Sequence, residues 1–183
     1  MHRIIIIGPP GAGKTMLSNY LSEKLNIPVF HLDQLFWNSN WNMKHPNEID
    51  EIHDEIFAHE RWLIDGYYQD TFYIRIQQSD TVIFLDYSRY RCLFRILCRK
   101  LNYRSRPRID LAEGCEDKFT KNFFDLVWNF KKRQAKKIEE VLAKTKNVSI
   151  YRFHNPHETK KFLKKDLLTK VKPEDEISKD RLF

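Results

Sequence analysis

The sequence predicts an α/β fold, with one domain in which helices cover both faces of a parallel sheet. Short apolar runs alternate with amphipathic stretches along most of the chain, which is typical of repeated strand–helix units. A glycine-rich turn joins the first apolar run to the first amphipathic stretch. The length of 183 residues and the hydrophobic content of 42% suit a single core. We expect this domain over residues 1–170 and a charged C-terminal tail over residues 171–183.

Five short apolar runs predict the strands of the sheet. Turn-forming residues bound several of them: Pro28 precedes the second, Asp65 and Gly66 end the third, and Asp86 ends the fourth. In chain order, the predicted strands are residues 3–7, 29–31, 62–64, 81–85 and 148–151.

Five stretches with apolar residues at helical spacing predict the helices. In chain order they span residues 14–25, 48–59, 89–101, about 119–144, and 157–168. Their predicted inner faces carry Leu17, Leu21 and Leu25 in the first, Ile49, Ile52 and Ile56 in the second, Leu93, Ile96 and Leu97 in the third, and Phe119, Phe123, Leu126 and Phe130 in the fourth. An irregular basic loop with Pro107 and Gly114 separates the third helix from the fourth.

Composition and cysteine usage exclude several classes of protein. The longest apolar run near the N-terminus covers residues 4–7, whereas a membrane span needs about 20 residues, so we expect no membrane partner. Cys92, Cys98 and Cys115 form no CxxC pair and have no histidine at ligand spacing. This pattern predicts neither a disulfide framework nor a zinc site, and it favours a cytoplasmic protein with reduced thiols.

The positive charge of the chain is concentrated in one stretch, residues 89–108, which we call the arginine segment. The formal net charge is +7, yet this segment alone holds eight basic and no acidic residues. The rest of the chain is therefore nearly neutral, and the segment is suited to binding a polyphosphate. Its basic residues are Arg89, Arg91, Arg95, Arg99, Lys100, Arg104, Arg106 and Arg108.

The turn after the first strand is a complete GxxxxGK[ST] motif, which predicts a P-loop NTPase. Its residues are Gly8, Pro9, Pro10, Gly11, Ala12, Gly13, Lys14 and Thr15. Glycines let backbone N–H groups turn toward a phosphate, and the helix N-terminus adds its positive dipole end. Lys14 would reach the outer phosphates and Thr15 would offer its hydroxyl to Mg²⁺. The motif therefore predicts ATP and Mg²⁺ as cofactors.

A P-loop also needs a carboxylate near the magnesium ion, and two residues qualify. Asp65 and Asp86 each follow a predicted apolar strand. In the kinase branch of P-loop folds the third strand lies next to the first, which would bring Asp65 toward Thr15. We therefore favour Thr15 and Asp65 as the metal residues. A cap for the helix that begins near Arg89 is the alternative role for Asp86.

These motifs resemble those of the small adenylate-kinase-like P-loop proteins called DNA topology modulation proteins. The similarity reaches to about Leu163 and lies in the segments GPPGAGKT, HLDQLFW, WLIDGYY, SDTVIFLDYSRYRCLFRILCR and AEGCEDKF. WLIDGYYQDT and FRILCRK are also similar to segments of nucleoside monophosphate kinases. The resemblance implies a five-stranded parallel sheet of order 2-3-1-4-5, an acceptor region after strand 2, and a lid over about residues 102–117. Where those kinases keep an arginine, this chain has Gln69, and the next arginine is Arg75. The acceptor therefore need not be a nucleotide.

Asp33 follows the second strand and is the candidate acceptor-side residue. A carboxylate there can position an acceptor hydroxyl and accept its proton in the loose transition state of phosphoryl transfer. A turn or helix cap is the alternative role for Asp33. Phe36, Trp37 and Trp41 follow it and would either contact the acceptor or pack as cover. Tyr67 and Tyr68 have the same two alternative roles, contact with the acceptor or packing.

Arg95 and Arg99 are four residues apart on the third helix and so share a face. The resemblance to monophosphate kinases implies that Arg95 stacks on the donor base and Arg99 reaches the phosphates. Arg104, Arg106 and Arg108 fall in the predicted lid, where planar bidentate donors can neutralise a transferring phosphoryl group. An ordinary solvated charge run is the alternative. Of the three cysteines only Cys115 falls in this loop, which excludes a four-cysteine lid zinc.

Two functions fit these residues. The first is a Mg²⁺- and ATP-dependent kinase that acts on a small acceptor, a nucleotide or other metabolite. The second is an ATP-dependent nucleic-acid-binding topology modulator, which a second basic run would assist. That run lies opposite an apolar stripe and is followed by Glu139 and Glu140, as on a solvated helix face. The sequence favours the enzyme. The basic run consists of Lys131, Lys132, Arg133, Lys136 and Lys137.

Overall fold

The computed structural model describes residues 1–102, 111–115 and 120–167, and these contain a five-stranded parallel sheet with helices on both faces. The strands in chain order are β1 (Arg3–Ile7), β2 (Val29–His31), β3 (Trp37–Asn38), β4 (Asn42–Met43), β5 (Trp62–Asp65), β6 (Thr81–Leu85) and β7 (Ser149–Phe153). The sheet has the order β2-β5-β1-β6-β7, and all its neighbours pair in parallel. Counted without β3 and β4, this is the expected order 2-3-1-4-5. The detail that differs is the short antiparallel hairpin of β3 and β4.

The described helices cover the sheet on both sides. They are α1 (Lys14–Leu25), α2 (Leu32–Leu35), α3 (Pro46–Phe57), α4 (Gln69–Gln78), α5 (Arg89–Asn102), α6 (Lys121–Phe130), α7 (Lys136–Lys144) and α8 (Pro156–Phe162). One π-helical turn, Lys131–Ala135, joins α6 to α7, and a second, Leu163–Leu167, follows α8. The helix predicted over about 119–144 is thus helical throughout residues 121–144, with one π-helical turn between two α-helical parts. None of the described helices is both long and apolar enough to cross a membrane.

The central strand β1 fixes the core because its side chains reach both faces of the sheet. Ile4, Ile5, Ile6 and Ile7 are all fully buried. Ile4 and Ile6 join a cluster with residues of α1 and α5, whereas Ile5 and Ile7 join a cluster with residues of α3 and α4. A strand covered on both faces needs apolar residues at every position, which explains the unbroken isoleucine run.

For two residues, the prediction of a place on the inner face of a helix is wrong. Leu97 of α5 is 49% exposed and Leu126 of α6 is 43% exposed. Successive residues on a helix point about 100° apart, so a residue next to a core position turns away from it. The buried residues of these helices are Cys92 and Ile96 on α5, and Val127 and Phe130 on α6. Phe119 lies outside the described residues.

The helix α4 was missed because its sequence looks polar. Phe72 and Ile76 form an apolar pair one turn apart and are both buried, whereas Tyr73 and Ile74 are exposed. The third large buried residue of α4 is Arg75, which is fully buried. A hydrophobicity pattern assigns an arginine to the surface, so the pattern hides the inner face of this helix.

His53 on α3 is a buried titratable residue in the core. It is 2% exposed and packs between the rings of Phe36 and Phe57. Burial lowers the pKa of His53 below its usual 6.5, and the charge of Arg75 acts in the same direction. The carboxylates of Asp50 and Asp54 oppose these two effects without cancelling them.

This burial predicts a pH-dependent stability. As the pH is lowered below about 6.5, His53 takes up a proton in the unfolded chain before it does so in the folded chain. The free energy of unfolding therefore decreases as the pH decreases. The slope reaches at most about 1.4 kcal/mol per pH unit for one proton. Denaturant titrations at about pH 7 and pH 5 should show a smaller fall in His53→Leu than in the parent. His157→Gln, at an exposed site, should match the parent. Equal falls in the parent and His53→Leu would contradict this assignment.

Candidate nucleotide, metal and acceptor site

The phosphate loop, residues 8–15, connects β1 to the start of α1. Its glycines adopt backbone conformations that other residues resist, since φ is +80° at Gly11 and +93° at Gly13. A Cβ at Gly13 would lie 2.7 Å from Nη2 of Arg95, and one at Gly11 would lie 2.6 Å from the carbonyl oxygen of Cys92. The loop is therefore wrapped tightly against α5. Lys14 Nζ donates to the carbonyl of Pro9 at 3.3 Å, across this loop.

Thr15 and Asp65 are in direct contact. The Thr15 hydroxyl donates to Asp65 Oδ2 at 2.9 Å. The contact follows from the sheet order, because β5 pairs with β1 and Asp65 lies opposite Ile6. Asp65 is 5% exposed, and its Oδ1 is buried with no hydrogen-bond donor among the described residues. A hydroxyl and a carboxylate with an unpaired buried oxygen are suitable ligands for Mg²⁺, so the residues present fit that ion.

Asp86 lies on the other side of β1, and its carboxylate is paired with basic side chains. Its Oδ2 accepts from Arg152 Nη2 at 2.7 Å and lies 3.3 Å from Lys131 Nζ and 3.3 Å from His154 Nδ1. Burial opposes the charge of Arg152, but hydrogen bonds and attraction to Asp86 and Glu139 raise its pKa. The capping role considered for Asp86 belongs to a different residue. Ser88 Oγ accepts from the backbone N–H of Arg91 in the first turn of α5.

His31 also contacts Asp65, a role that the sequence pattern did not predict. Its Nδ1 lies 3.1 Å from Asp65 Oδ2, and its Nε2 lies 3.1 Å from Oδ1 of Asn19. His31 ends β2, which pairs with β5 so that the two residues stand opposite each other. His31 is visible in the segment HLDQLFW, but a histidine at the end of a strand can have many roles and therefore does not by itself predict a contact with Asp65.

Asp33, the predicted acceptor-side residue, lies within the short helix α2. The hydroxyl of Tyr68 donates to Asp33 Oδ1 at 2.7 Å, and Trp37 Nε1 donates to the same hydroxyl oxygen. Burial, followed by the negative charge of Asp33, raises the pKa of Tyr68. Tyr68 therefore stays protonated and acts as the donor. Trp41 packs edge-on against Trp37 and is 39% exposed, whereas Phe36 is fully buried and belongs to the core.

Arg75 organises the turn between Asp65 and Tyr68. Its fully buried guanidinium donates to the carbonyl oxygens of Gly66, Tyr67 and Tyr68, and its Nε donates to that of Thr71. Burial lowers the pKa of Arg75, because a charged group loses hydration in the interior. These carbonyl contacts hold the chain in the conformation that presents the Tyr68 hydroxyl to Asp33. Sequence patterns give no signal for a buried arginine of this kind.

The described part of the arginine segment lies beside the phosphate loop. Arg95 Nη1 donates to the carbonyl of Ala12 at 3.0 Å, and Arg99 follows one turn later on α5, half-buried. Arg104, Arg106 and Arg108 lie outside the described residues.

Residues 111–115, in the C-terminal part of the predicted lid, contact the hairpin of β3 and β4. Four hydrogen bonds connect them, all to the turn that carries Trp41. The bonds run from Ser39 Oγ to the Glu113 carbonyl at 3.0 Å, from Asn40 N to the Gly114 carbonyl at 3.3 Å, from Trp41 N to Cys115 Sγ at 3.4 Å, and from Cys115 Sγ to the Asn38 carbonyl at 3.2 Å. The C-terminal part of the predicted lid therefore packs against the turn that carries Trp41.

The second basic run carries its own partners. Its contacts, beyond that of Lys131 with Asp86, are Arg133 with Asp125 at 2.6 Å, Lys136 with Glu140 at 4.0 Å, and Lys137 with Gln69 at 2.9 Å. Acidic and basic groups thus alternate on this surface, as on a solvated helix face.

A parallel sheet of this order with a glycine-rich phosphate loop after its first strand defines the fold of P-loop kinases. The chain belongs to the family whose model is described as "AAA domain", which matches residues 4–116. The chain is therefore an AAA-family domain with the nucleotide-binding fold of P-loop kinases.

Solved structures share this fold at low sequence identity. A shikimate kinase from Acinetobacter baumannii, in complex with shikimate, has a TM-score of 0.58 and 16% identity over 94% of this chain and 96% of its own. A shikimate kinase from Bacteroides thetaiotaomicron gives 0.52 and 19%, over 92% and 98%. A deoxyadenosine kinase from M. mycoides with bound dCTP gives 0.50 and 14%, over 92% and 99%.

Curated relatives match over a short stretch. Threonine synthase-like 1 of Homo sapiens is 35% identical over 57 residues, which cover 31% of this chain and 8% of that protein. The protein of the same name in Mus musculus is 33% identical over 57 residues, with the same coverage. The chain thus matches less than a tenth of the length of these relatives.

Proposed function

We propose that the chain is a Mg²⁺- and ATP-dependent phosphotransferase that moves the γ-phosphoryl group of ATP to a hydroxyl group of a small molecule. One observation carries the proposal: three adjacent strands deliver the phosphate loop, Asp65 and Asp33 to the same edge of the sheet. Ile6 of β1 and His31 of β2 both lie opposite Asp65 of β5. The loop and Asp33 begin two residues beyond these positions. A donor site beside an acceptor site is what phosphoryl transfer requires.

On the donor side, the loop N–H groups, the N-terminus of α1 and Lys14 would bind the phosphates. Thr15 and Asp65 would hold the Mg²⁺ ion, which when bound neutralises charge on the outer phosphates. Arg95 already lies against the loop at Ala12, within reach of a nucleotide. Arg99 would act with it, as would the lid residues Arg104, Arg106 and Arg108.

On the acceptor side, Asp33 would orient the acceptor hydroxyl and take its proton. The Tyr68 hydroxyl occupies Oδ1 of Asp33, and the described residues leave Oδ2 without a hydrogen bond. Oδ2 is therefore the oxygen that would accept from the substrate. The Tyr68 and Trp37 contacts fix the carboxylate in one orientation, which general-base catalysis needs.

The surroundings of Asp33 support an acceptor without a phosphate group at this position. Arg75, the first arginine after the GYY turn, faces backbone carbonyls and is fully buried. Gln69, which stands where monophosphate kinases keep an arginine, is bound by Lys137. A nucleoside or another hydroxyl compound without a phosphate group therefore fits better than a nucleoside monophosphate. The neighbours in fold include kinases named for shikimate and for deoxyadenosine, so both compounds belong in an acceptor screen.

ATP-dependent binding of nucleic acid is the competing function, and the arginine segment is its main support. The second basic run gives it little support, because most of its members pair with acidic or amide groups. DNA is therefore included as a separate arm of the tests.

The proposal is tested by the variant Asp33→Asn. With an acceptor that stimulates ADP release from the parent, we expect kcat to fall about 10²- to 10⁴-fold, the usual range for a lost general base. The affinity for Mg²⁺ and ATP should not change, because Asp33 lies outside the phosphate loop. Asp70→Asn, an exposed carboxylate at the start of α4, is the matched control and should behave as the parent does. Unchanged kcat in Asp33→Asn would remove Asp33 from the reaction.

A further inference from the structure

The His31 side chain bridges the metal-site carboxylate and helix α1. Its imidazole is 13% exposed and lies between Asp65 Oδ2 and Asn19, at 3.1 Å on each side. Asn19 is one helical turn after Thr15, so both residues face the same carboxylate region from α1. His31 has no place in the phosphate loop or the acceptor site, and its contacts need another explanation.

The two oxygens of Asp65 have unequal environments. Oδ2 receives two hydrogen bonds, one from the Thr15 hydroxyl and one from the ring of His31. Oδ1 is buried and has no donor among the described residues. Two donors on one oxygen fix the rotation of the carboxylate about its Cβ–Cγ bond, and they leave the lone pairs of the other oxygen for a cation.

The chemistry of the partners determines which ring nitrogen donates. A carboxylate only accepts hydrogen bonds, so Nδ1 of His31 carries the proton that faces Asp65. Nε2 faces the side-chain amide of Asn19, which can turn to offer either its oxygen or its nitrogen. The contact that matters for the carboxylate is therefore the one made by Nδ1.

We propose that His31 is a positioning residue for the metal site, acting through the Nδ1–H bond to Asp65. This inference rests on the proposed Mg²⁺ and ATP site. By holding Oδ2, together with the donating hydroxyl of Thr15, His31 directs the buried Oδ1 toward the ion. Hydrogen bonds to metal-binding residues commonly tune metal affinity in this way.

Two substitutions separate the Nδ1 contact from the rest of the imidazole. In His31→Asn the amide nitrogen can occupy the position of Nδ1, whereas in His31→Gln it reaches the position of Nε2. We therefore expect His31→Asn to retain the donor to Asp65 and His31→Gln to lose it. The probe is Mn²⁺ titrated by electron paramagnetic resonance in the presence of adenylyl imidodiphosphate, which requires neither an acceptor nor turnover.

For His31→Gln we expect the Mn²⁺ dissociation constant to rise about 10- to 100-fold. For His31→Asn it should stay within about threefold of the parent, and the metal-free affinity for the nucleotide should be the same in all three proteins. Equal Mn²⁺ affinities in the three proteins, or equal losses in both variants, would overturn the positioning role. A parent that shows no nucleotide-dependent Mn²⁺ binding would instead overturn the proposed function, so the two failures are distinct. Melting temperatures check that both variants are folded.

Discussion

Replacing Lys14 with alanine will reduce nucleotide turnover by at least about 10²- to 10³-fold, the effect of removing one preorganised charge stabiliser from an active site. Lys14 is the only cationic side chain within the phosphate loop itself. In the described structure its Nζ contacts a single carbonyl, that of Pro9, at 3.3 Å. This long hydrogen bond is weak, so Lys14 can readily leave the Pro9 carbonyl and bind a phosphate oxygen. The fold should persist, because no buried partner depends on this side chain.

The measurement is ADP release with saturating Mg²⁺ and ATP, together with the melting temperature of each protein. Lys24→Ala is the matched control, because it removes the same charge from the last turn of the same helix, away from the loop. We expect turnover near that of the parent in Lys24→Ala and unchanged melting temperatures in both variants. If Lys14→Ala turned over ATP as fast as the parent, the loop would not be a catalytic phosphate site.

Asp65→Asn and Asp86→Asn will have opposite effects, although both remove a buried carboxylate at the end of a neighbouring strand. Asp65 lies against Thr15, so its loss should lower Mg²⁺-dependent turnover by orders of magnitude. Asp86 binds Arg152 and Lys131, so its loss should leave turnover largely intact and destabilise the fold. The destabilisation should be roughly 1–3 kcal/mol, less than for a fully buried pair, because Arg152 is partly exposed.

Turnover measured against Mg²⁺ concentration and thermal unfolding of the same preparations distinguish the two residues. Asp86→Asn should lower Tm by several degrees, as expected for a loss of this size in a domain of this length. Asp65→Asn should show a weaker response to Mg²⁺. The reverse ranking, with turnover dependent on Asp86 and stability on Asp65, would mean that the metal site lies on the other side of β1.

The sheet could be predicted from the sequence because its strands are local and strongly apolar. The run from Ile4 to Ile7 and the glycine-rich turn after it identify β1 and the phosphate loop without any knowledge of the rest of the chain. The strand order came from the family resemblance, and the structure confirms it. Given that order, the proximity of Thr15 and Asp65 could be expected.

The residues that organise the site could not be predicted in the same way, because their partners are distant in sequence. Arg75 is a charged residue that is buried by contact with backbone carbonyls, and composition alone places arginine at the surface. His31 acquires its significance from Asp65, 34 residues later in the chain. Tyr68 contacts Asp33 across a similar separation, and only the three-dimensional arrangement selects it from the other tyrosines.

The buried faces of the helices show a second limit of sequence-based prediction. The inner face of α5 is rotated from the predicted one, so Ile96 is buried and Leu97 is exposed. Periodicity predicts the presence of a helix more reliably than it predicts which face is buried. When two adjacent residues are both apolar, two neighbouring faces are almost equally apolar. The neighbouring elements then decide which face is buried.

The most direct test of a kinase function is to follow the γ-phosphoryl group itself. Radiolabelled ATP and Mg²⁺ are incubated with the protein and, in separate arms, with shikimate, nucleosides, sugars or duplex DNA. We predict that the label moves to at least one small hydroxyl compound, that chelation of Mg²⁺ stops the transfer, and that Asp33→Asn slows it at least about 10²-fold. If instead only DNA stimulated ADP release, with all of the label recovered as inorganic phosphate and no effect of Asp33→Asn, the chain would be a nucleic-acid-dependent ATPase and not a kinase.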